Sequence, residues 1–132
     1  MDVVDLDHVA IRVSDLDRAL SFYHDLLGME LRDRERYDAG EVPYVAVVAG
    51  GCHVHIVPTE EEFTLEREHI CFLLRSSEVD SREELEDLLD RLRKEGIEVE
   101  EGEPYRRYGA YGRAWAAYVR DPDGRRVELK IH

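Results

Sequence analysis

The chain has 132 residues, a formal net charge of −13 and 43% apolar residues, a size that suits one compact domain with a real core and is too small for two independent ones. That charge repels phosphate backbones, and no basic stripe with interleaved aromatics relieves it, so nucleic acid is excluded as an expected partner. The sequence holds no apolar stretch long enough to span a bilayer and no N-terminal apolar segment of the secretory kind, which makes a cytoplasmic protein with no membrane partner the expectation. Its two cysteines, Cys52 and Cys71, lack the spacing of a thiolate metal site and form no disulfide framework.

In chain order, the stretch "DHVAIRVSDLDRALSFYHDLLGMEL" opens with an alternating strand in which Val9, Ile11 and Val13 share one face and His8, Ala10 and Arg12 the other. Ser14 is the expected cap of an amphipathic helix over about 15–27. Gly28 marks the exit, and Met29-Glu30-Leu31 starts a second strand. "YVAVVAG" and "CHVHIVP" read as two further strands, with Val54 and Ile56 on one face of the last and His53 and His55 on the other. The acidic run "TEEEFTLERE" separates two modules of about 1–58 and 68–132, with a linker at 59–67.

The second module repeats the first. "EHICFLLRSSEVDSREELEDLLDRLRKEGIEVE" gives a strand, then Ser81 and Glu84 as a capping box, a helix over about 82–95, an exit at Gly96 and a strand at Ile97-Glu98-Val99. "RAWAAYVRD" and "RRVELKIH" follow as strands joined by the turn "DPDG". The expected fold class is α+β: two βαβββ repeats in a single domain, their sheets pairing as half-barrels around a concave cleft.

The repeat also aligns chemistry. Laying "RVELK" on "HVHIV" puts Glu128 on His55 and Arg126 on His53, and laying "HICFLL" on "HVAIRV" puts His69 on His8. His8, His55, His69 and Glu128 are therefore the candidate metal ligands. Imidazoles with a carboxylate suit one borderline divalent ion, zinc, nickel, manganese, cobalt or ferrous iron, better than calcium. His55 and Glu128 are the candidate catalytic groups, His55 either as a ligand or, standing off the metal, as a general base. The segment "EPYRRYGAYGRAW" mixes rings and guanidinium groups around two glycines, so Tyr105, Arg107, Tyr111, Arg113 and Trp115, together with Arg12, are the candidate substrate-binding residues.

The paired halves, the opening "DHVAIRVSDLDRALSFYHDLLGMEL" and the closing "YVRDPDGRRVEL" resemble the vicinal oxygen chelate superfamily, which includes glyoxalase I, methylmalonyl-CoA epimerase, fosfomycin-resistance enzymes, extradiol dioxygenases and bleomycin-resistance proteins. The resemblance implies His8, His69 and Glu128 as the shared ligand set. It places His55 where glyoxalase I has glutamate and the epimerase glutamine. It further implies a small-molecule substrate with two adjacent oxygens and a homodimer. Three functions stand open: a metal-dependent lyase or isomerase of the glyoxalase type, which the four ligand-capable positions favour; a ferrous extradiol-type dioxygenase; and a metal-free drug-binding resistance protein.

The chain contains sixteen arginines to two lysines and neither asparagine nor glutamine. A salt-rich or hot cytoplasm accounts for this bias, and so does a GC-rich genome. For a salt-rich host the melting temperature is expected to rise with molar potassium chloride, and a salt-independent curve counts against it.

Overall fold

The computed structural model describes residues 1–2, 5–65, 69–77, 81–102 and 104–131. The chain divides into two compact units, Met1–Thr64 and Leu65–His132. Each is an α+β unit built on one four-stranded mixed sheet. Among the described residues no helix is long and apolar enough to cross a membrane.

In the first unit, β1 (His8–Val13) leads into α1 (Leu16–Leu20), which continues as a π-helical turn over Ser21–Leu26. β2 (Leu31–Arg32), a short α2 (Arg34–Asp38), β3 (Val45–Ala49) and β4 (Cys52–Pro58) complete it. The sheet order is β1-β4-β3-β2, with β1 and β4 parallel. A parallel pair cannot close through a hairpin, so the intervening helix and strands form the crossover. Ile11, Val13, Val54 and Ile56 are buried on one face, together with Ala19, Leu20, Phe22 and Tyr23 of the helix. The cap differs from the expected Ser14: the Asp15 carboxylate accepts from the Arg18 N–H at 3.0 Å. A carboxylate also suits the positive end of the helix dipole. α2 has no counterpart in the sequence reading. It opens at Asp33, whose φ of +65° turns the chain sharply after the two residues of β2.

The second unit runs β5 (Ile70–Leu74), α3 (Arg82–Lys94), β6 (Tyr105–Gly109), β7 (Gly112–Arg120) and β8 (Arg126–Ile131), in the order β5-β8-β7-β6 with β5 and β8 parallel. Leu85, Leu89 and Leu92 are buried at helical spacing, and Phe72, Val119, Val127, Leu129 and Ile131 are buried in the sheet. Ser81 caps α3 by accepting from the Glu84 N–H at 3.3 Å. The return half of the capping box is replaced by another contact, since the Glu84 carboxylate accepts from the Ser77 N–H at 3.0 Å and from the hydroxyls of Ser76 and Ser77. The expected strand at Ile97-Glu98-Val99 shrinks to a single bridge between Val99 and Val119. The chain turns through Gly102, φ +78°, and then follows the edge of β7 as β6, a strand that the sequence reading does not assign.

The β7–β8 connection is held from within. The Asp121 carboxylate accepts from the N–H groups of Asp123 and Arg125 at 2.9 and 2.8 Å, and from the buried Arg125 guanidinium at 2.7 Å. Beside it, Glu100 accepts from Arg126 at 3.0 Å through each oxygen and from Arg120 at 2.7 Å. The Arg126 hydrogen bonds, helped by the charges of both arginines, hold the Glu100 carboxyl below the usual carboxylate range against a modest opposing effect of burial. A depressed folded pKa means the stabilisation is complete above the ordinary carboxylate value and is lost as pH falls through the folded one. Glu100→Gln should therefore cost about 1–2 kcal/mol near neutral pH, the lower range for charge-assisted bonds at a partly exposed site. The difference in melting temperature from wild type should close as the pH approaches about 3, the acidic side of the carboxylate range. A difference independent of pH would contradict the assignment.

Candidate metal centre

Register places the candidate ligands. In the first unit His8 lies opposite His53 and Ala10 opposite His55 across the parallel pair. The second unit repeats this, with Cys71 opposite Glu128 and Ile70 opposite Val127. Alternation then gives His8, His53 and His55 one face of the first sheet, and His69, Cys71 and Glu128 the corresponding face of the second.

In both units the residue heading the first strand reaches diagonally across to the last strand. His69 Nε2 lies 3.0 Å from Glu128 Oε2, and the Glu128 side chain is only 8% exposed. The His69 ring stands edge-on to Tyr118 at 5.2 Å, and Tyr118 lies opposite Glu128 in the β7–β8 register. Burial, and next the Glu128 charge and hydrogen bond, raise the Tyr118 phenol above its usual pKa, so its hydroxyl remains a donor. Cys71 completes the surroundings of the carboxylate; burial, reinforced by Glu128, pushes its thiol up to about 11.

The first unit makes the same diagonal from rings. His8 stacks on His55 with centroids 4.1 Å apart and planes at 12°, and Tyr44 covers the other face of His55 at 3.8 Å and 7°. Burial, with the neighbouring charges of His8 and His53, lowers the pKa of His55 and keeps its imidazole neutral at physiological pH. His8 Nδ1 donates to the Asp7 carboxylate at 2.6 Å, which lowers the Asp7 pKa. Because a carboxylate only accepts, Nδ1 carries a proton in this contact, which in the neutral ring leaves the lone pair on Nε2.

Among the described residues, no three His, Cys, Asp or Glu side chains form a ligand cluster for a metal ion. The separate donors nevertheless fit a divalent ion in their chemistry. Donors on one ion at bond lengths near 2.1 Å sit roughly 3 Å apart, the spacing of the His69–Glu128 pair. His8 carries the outer carboxylate that commonly orients a ligating imidazole.

The substrate-binding candidates divide between faces. Tyr105 and Arg107 pair with Ala116 and Ala114, on the face that carries Tyr118 and Glu128. Arg107 donates to the Ala116 carbonyl at 2.9 Å and lies over the Tyr118 and Tyr105 rings. Arg113 and Trp115 alternate onto the opposite, helix-bearing face, where Arg82 of α3 covers the indole at 4.9 Å. Tyr111 is exposed at the β6–β7 turn. Arg12, in the other unit, lies over Phe63 at 5.3 Å. Sequence reasoning missed Asp7, Tyr44 and Tyr118. Tyr118 was within reach of a count back through the turn from Glu128, whereas nothing in the pattern points to Tyr44.

A family model described as Glyoxalase/Bleomycin resistance protein/Dioxygenase superfamily matches residues 5–129. A probable lactoylglutathione lyase of Synechocystis is 32% identical over 132 residues, spanning 92% of this chain and 91% of its own. The glutathione transferase FosA of Serratia marcescens is 27% identical over 130 residues, spanning 96% and 79%. Among solved structures, an integron cassette protein of Vibrio cholerae aligns with a TM-score of 0.73 at 25% identity, covering 100% of this chain and 98% of its own. A Salmonella typhimurium virulence protein gives 0.72 at 24%, covering 100% and 99%.

The raised pKa of Cys71 has a direct readout. In chelator-treated protein, iodoacetamide at about pH 8 should label Cys71 roughly tenfold more slowly than an unperturbed thiol, since a thiolate fraction about a hundredfold lower is partly offset by greater nucleophilicity. Labelling at the rate of a free peptide cysteine would contradict a thiol held protonated beside Glu128.

Proposed function

Because the chain belongs to the Glyoxalase/Bleomycin resistance protein/Dioxygenase superfamily, we propose that it is a divalent-metal-dependent enzyme for a small molecule with two neighbouring oxygens, working as a lyase or isomerase. The observation that carries this reading is the approach of His69 Nε2 to 3.0 Å from the buried Glu128 carboxylate. His8, His69 and Glu128 would hold the ion, for which zinc, nickel, manganese, cobalt and ferrous iron are all suitable by donor type. Such an ion supplies Lewis acidity toward a substrate oxygen on which negative charge develops. The chain's own residues supply proton handling and orientation. His55, neutral and covered on both ring faces, offers an in-plane lone pair that can take a proton from substrate carbon. Tyr118, with its proton retained, donates to Glu128 and holds that carboxylate in place.

One observation favours a second reading. The nearly parallel rings of His8 and His55 keep their in-plane lone pairs from converging on one point, which supports reading His55 as a base beside the ligand set. Two histidines and one carboxylate then remain, a donor set used by non-haem ferrous oxygenases, so a ferrous dioxygenase is the alternative. The proposal includes a cytoplasmic homodimer; monomeric sedimentation with activity retained at nanomolar protein would refute a site shared between chains.

Elemental analysis of untagged protein tests both readings. Nickel, zinc, cobalt or manganese in stoichiometric amount supports the isomerase reading, and stoichiometric iron with oxygen uptake supports the dioxygenase. His8→Ala, His69→Ala and Glu128→Ala should each lower metal affinity at least about a hundredfold, while His53→Ala is mild. His55→Ala should leave metal content intact and remove the near-neutral limb of the pH–rate profile. A protein that takes up no divalent ion overturns both readings and leaves a metal-free binder.

A further inference from the structure

The segment that ends in Glu100 is tied to β7 beyond the stretch that β6 pairs. Val99 bridges Val119, the Glu100 N–H donates to the Tyr118 carbonyl at 3.0 Å, and the Arg120 N–H donates to the Glu98 carbonyl at 2.9 Å. Glu100 thus stands opposite Tyr118 and shares its face of the sheet. Arg126 joins them there from β8, two residues before Glu128.

Three charges and one ring meet at this place. Arg120 and Arg126 lie directly opposite each other across β7 and β8, like charges that repel unless a carboxylate stands between them. Glu100 is that carboxylate, accepting from Arg126 through each oxygen at 3.0 Å and from Arg120 at 2.7 Å. The paired bonds fix the plane of the Arg126 guanidinium. Its central carbon lies 3.5 Å from the centroid of the Tyr118 ring, nearer than the 4.7 Å of Arg107 over the same ring. Neutralising two arginines requires no ring beneath one of them. Tyr118 in turn faces Glu128 across the strand pair and hydrogen-bonds its carboxylate. At the same place in the first unit Ala46 stands opposite His55 and offers no ring to seat.

We propose that Glu100 is a positioning residue: it seats Arg126 on the Tyr118 ring, and that ring holds the Glu128 carboxylate in the orientation in which it meets His69. The consequence for a metal rests on the metal-enzyme reading, whereas the seat itself rests on the contacts within the second unit. A ring held only by a hydrogen bond at its hydroxyl can rock about that bond, and a cation drawn to its face restricts the motion. Glu128 then keeps one orientation, as a ligating carboxylate with outer support does.

The test is a double-mutant cycle between Glu100 and Tyr118, read as cobalt(II) affinity by chelator competition. Loss of a ligand's outer partner typically weakens metal binding about ten- to a hundredfold, and Glu100 acts one contact further out, so Glu100→Gln should weaken cobalt binding about three- to tenfold. In the Tyr118→Phe background, where the hydroxyl that reaches Glu128 is gone, the same substitution should change affinity less than about twofold. Equal losses in both backgrounds overturn the proposal, because an ion pair that only stabilises the fold does not distinguish them, and so does the absence of loss in either. Arg126→Ala should reproduce the coupling, and it carries the test if Glu100→Gln does not fold. The ring is also read without metal, by NMR of chelator-treated protein whose tyrosines carry carbon-13 at Cζ. Glu100→Gln should shift the Tyr118 signal, identified by its loss in Tyr118→Phe, and leave that of Tyr23, buried in the first unit, in place. An unmoved Tyr118 signal overturns the proposal. If the protein takes up no divalent ion, the metal-enzyme reading fails on its own, and the Tyr118 signal decides whether Glu100 sets the ring.

Discussion

Everything at the candidate centre depends on the parallel pairing of the first and last strand of each unit. That pairing puts β4 and β8 inside their sheets, with partners on both sides, so their side chains are crowded by neighbours in both directions. On one face the crowding is apolar, and burying Val54, Ile56, Val127 and Leu129 against the helices supplies the driving force. On the other face it is polar. A side chain there must find partners or stay wet, and Glu128, which is buried, has His69, Tyr118 and Cys71 around it. The same fixed register that builds the core therefore fixes which polar groups meet.

The two units use one geometry for different chemistry. Opposite Glu128 stands Tyr118, and opposite His55 at the same place in the first unit stands Ala46. A phenol beside a carboxylate gives a hydrogen-bonded, ionic arrangement with a defined direction. An alanine beside an imidazole gives none, and the ring is held instead by flat contact with His8 and Tyr44. Stacking of this kind fixes the plane of a ring and leaves both nitrogens at its edge uncommitted. His55 is thereby suited to handling a proton, and Glu128 to holding charge. The repeat accordingly yields two unlike halves from one topology.

How much of this was legible in the sequence follows from what each feature depends on. The faces of the strands were, because alternation is a property of the backbone: His8, His69, His55 and Glu128 fall where period two puts them. The helix expected over about 82–95 and found at Arg82–Lys94 was legible for the same reason of local pattern, whereas the parallel pairing of first and last strands was not read from the sequence. Features decided by competition between neighbours were not. Ser14 and Asp15 are both good caps, and the carboxylate one residue later takes the role. Ile97-Glu98-Val99 has strand character, but Gly102 breaks the edge strand and most of its pairing passes to Tyr105–Gly109. Trp115 looked like a pocket residue by composition. Its parity on β7 sends it to the helix face beside Arg82, a fact about register that residue type alone does not carry.

The reaction was the least legible part, and the structure gives the physical reason. A two-histidine-one-carboxylate set specifies that charge on oxygen is stabilised and leaves open how that charge arose, by loss of a proton from carbon, by opening of a ring or by reduction of dioxygen. Discrimination among these must come from groups that do not ligate. In this chain the two units diverge most at Tyr44 and the histidine stack in the first and at Tyr118 and Arg107 in the second. On the proposed reading, a ligand set carried by the repeated strand register would fix the centre of the chemistry, and the choice among reactions would fall to the residues in which the two units differ.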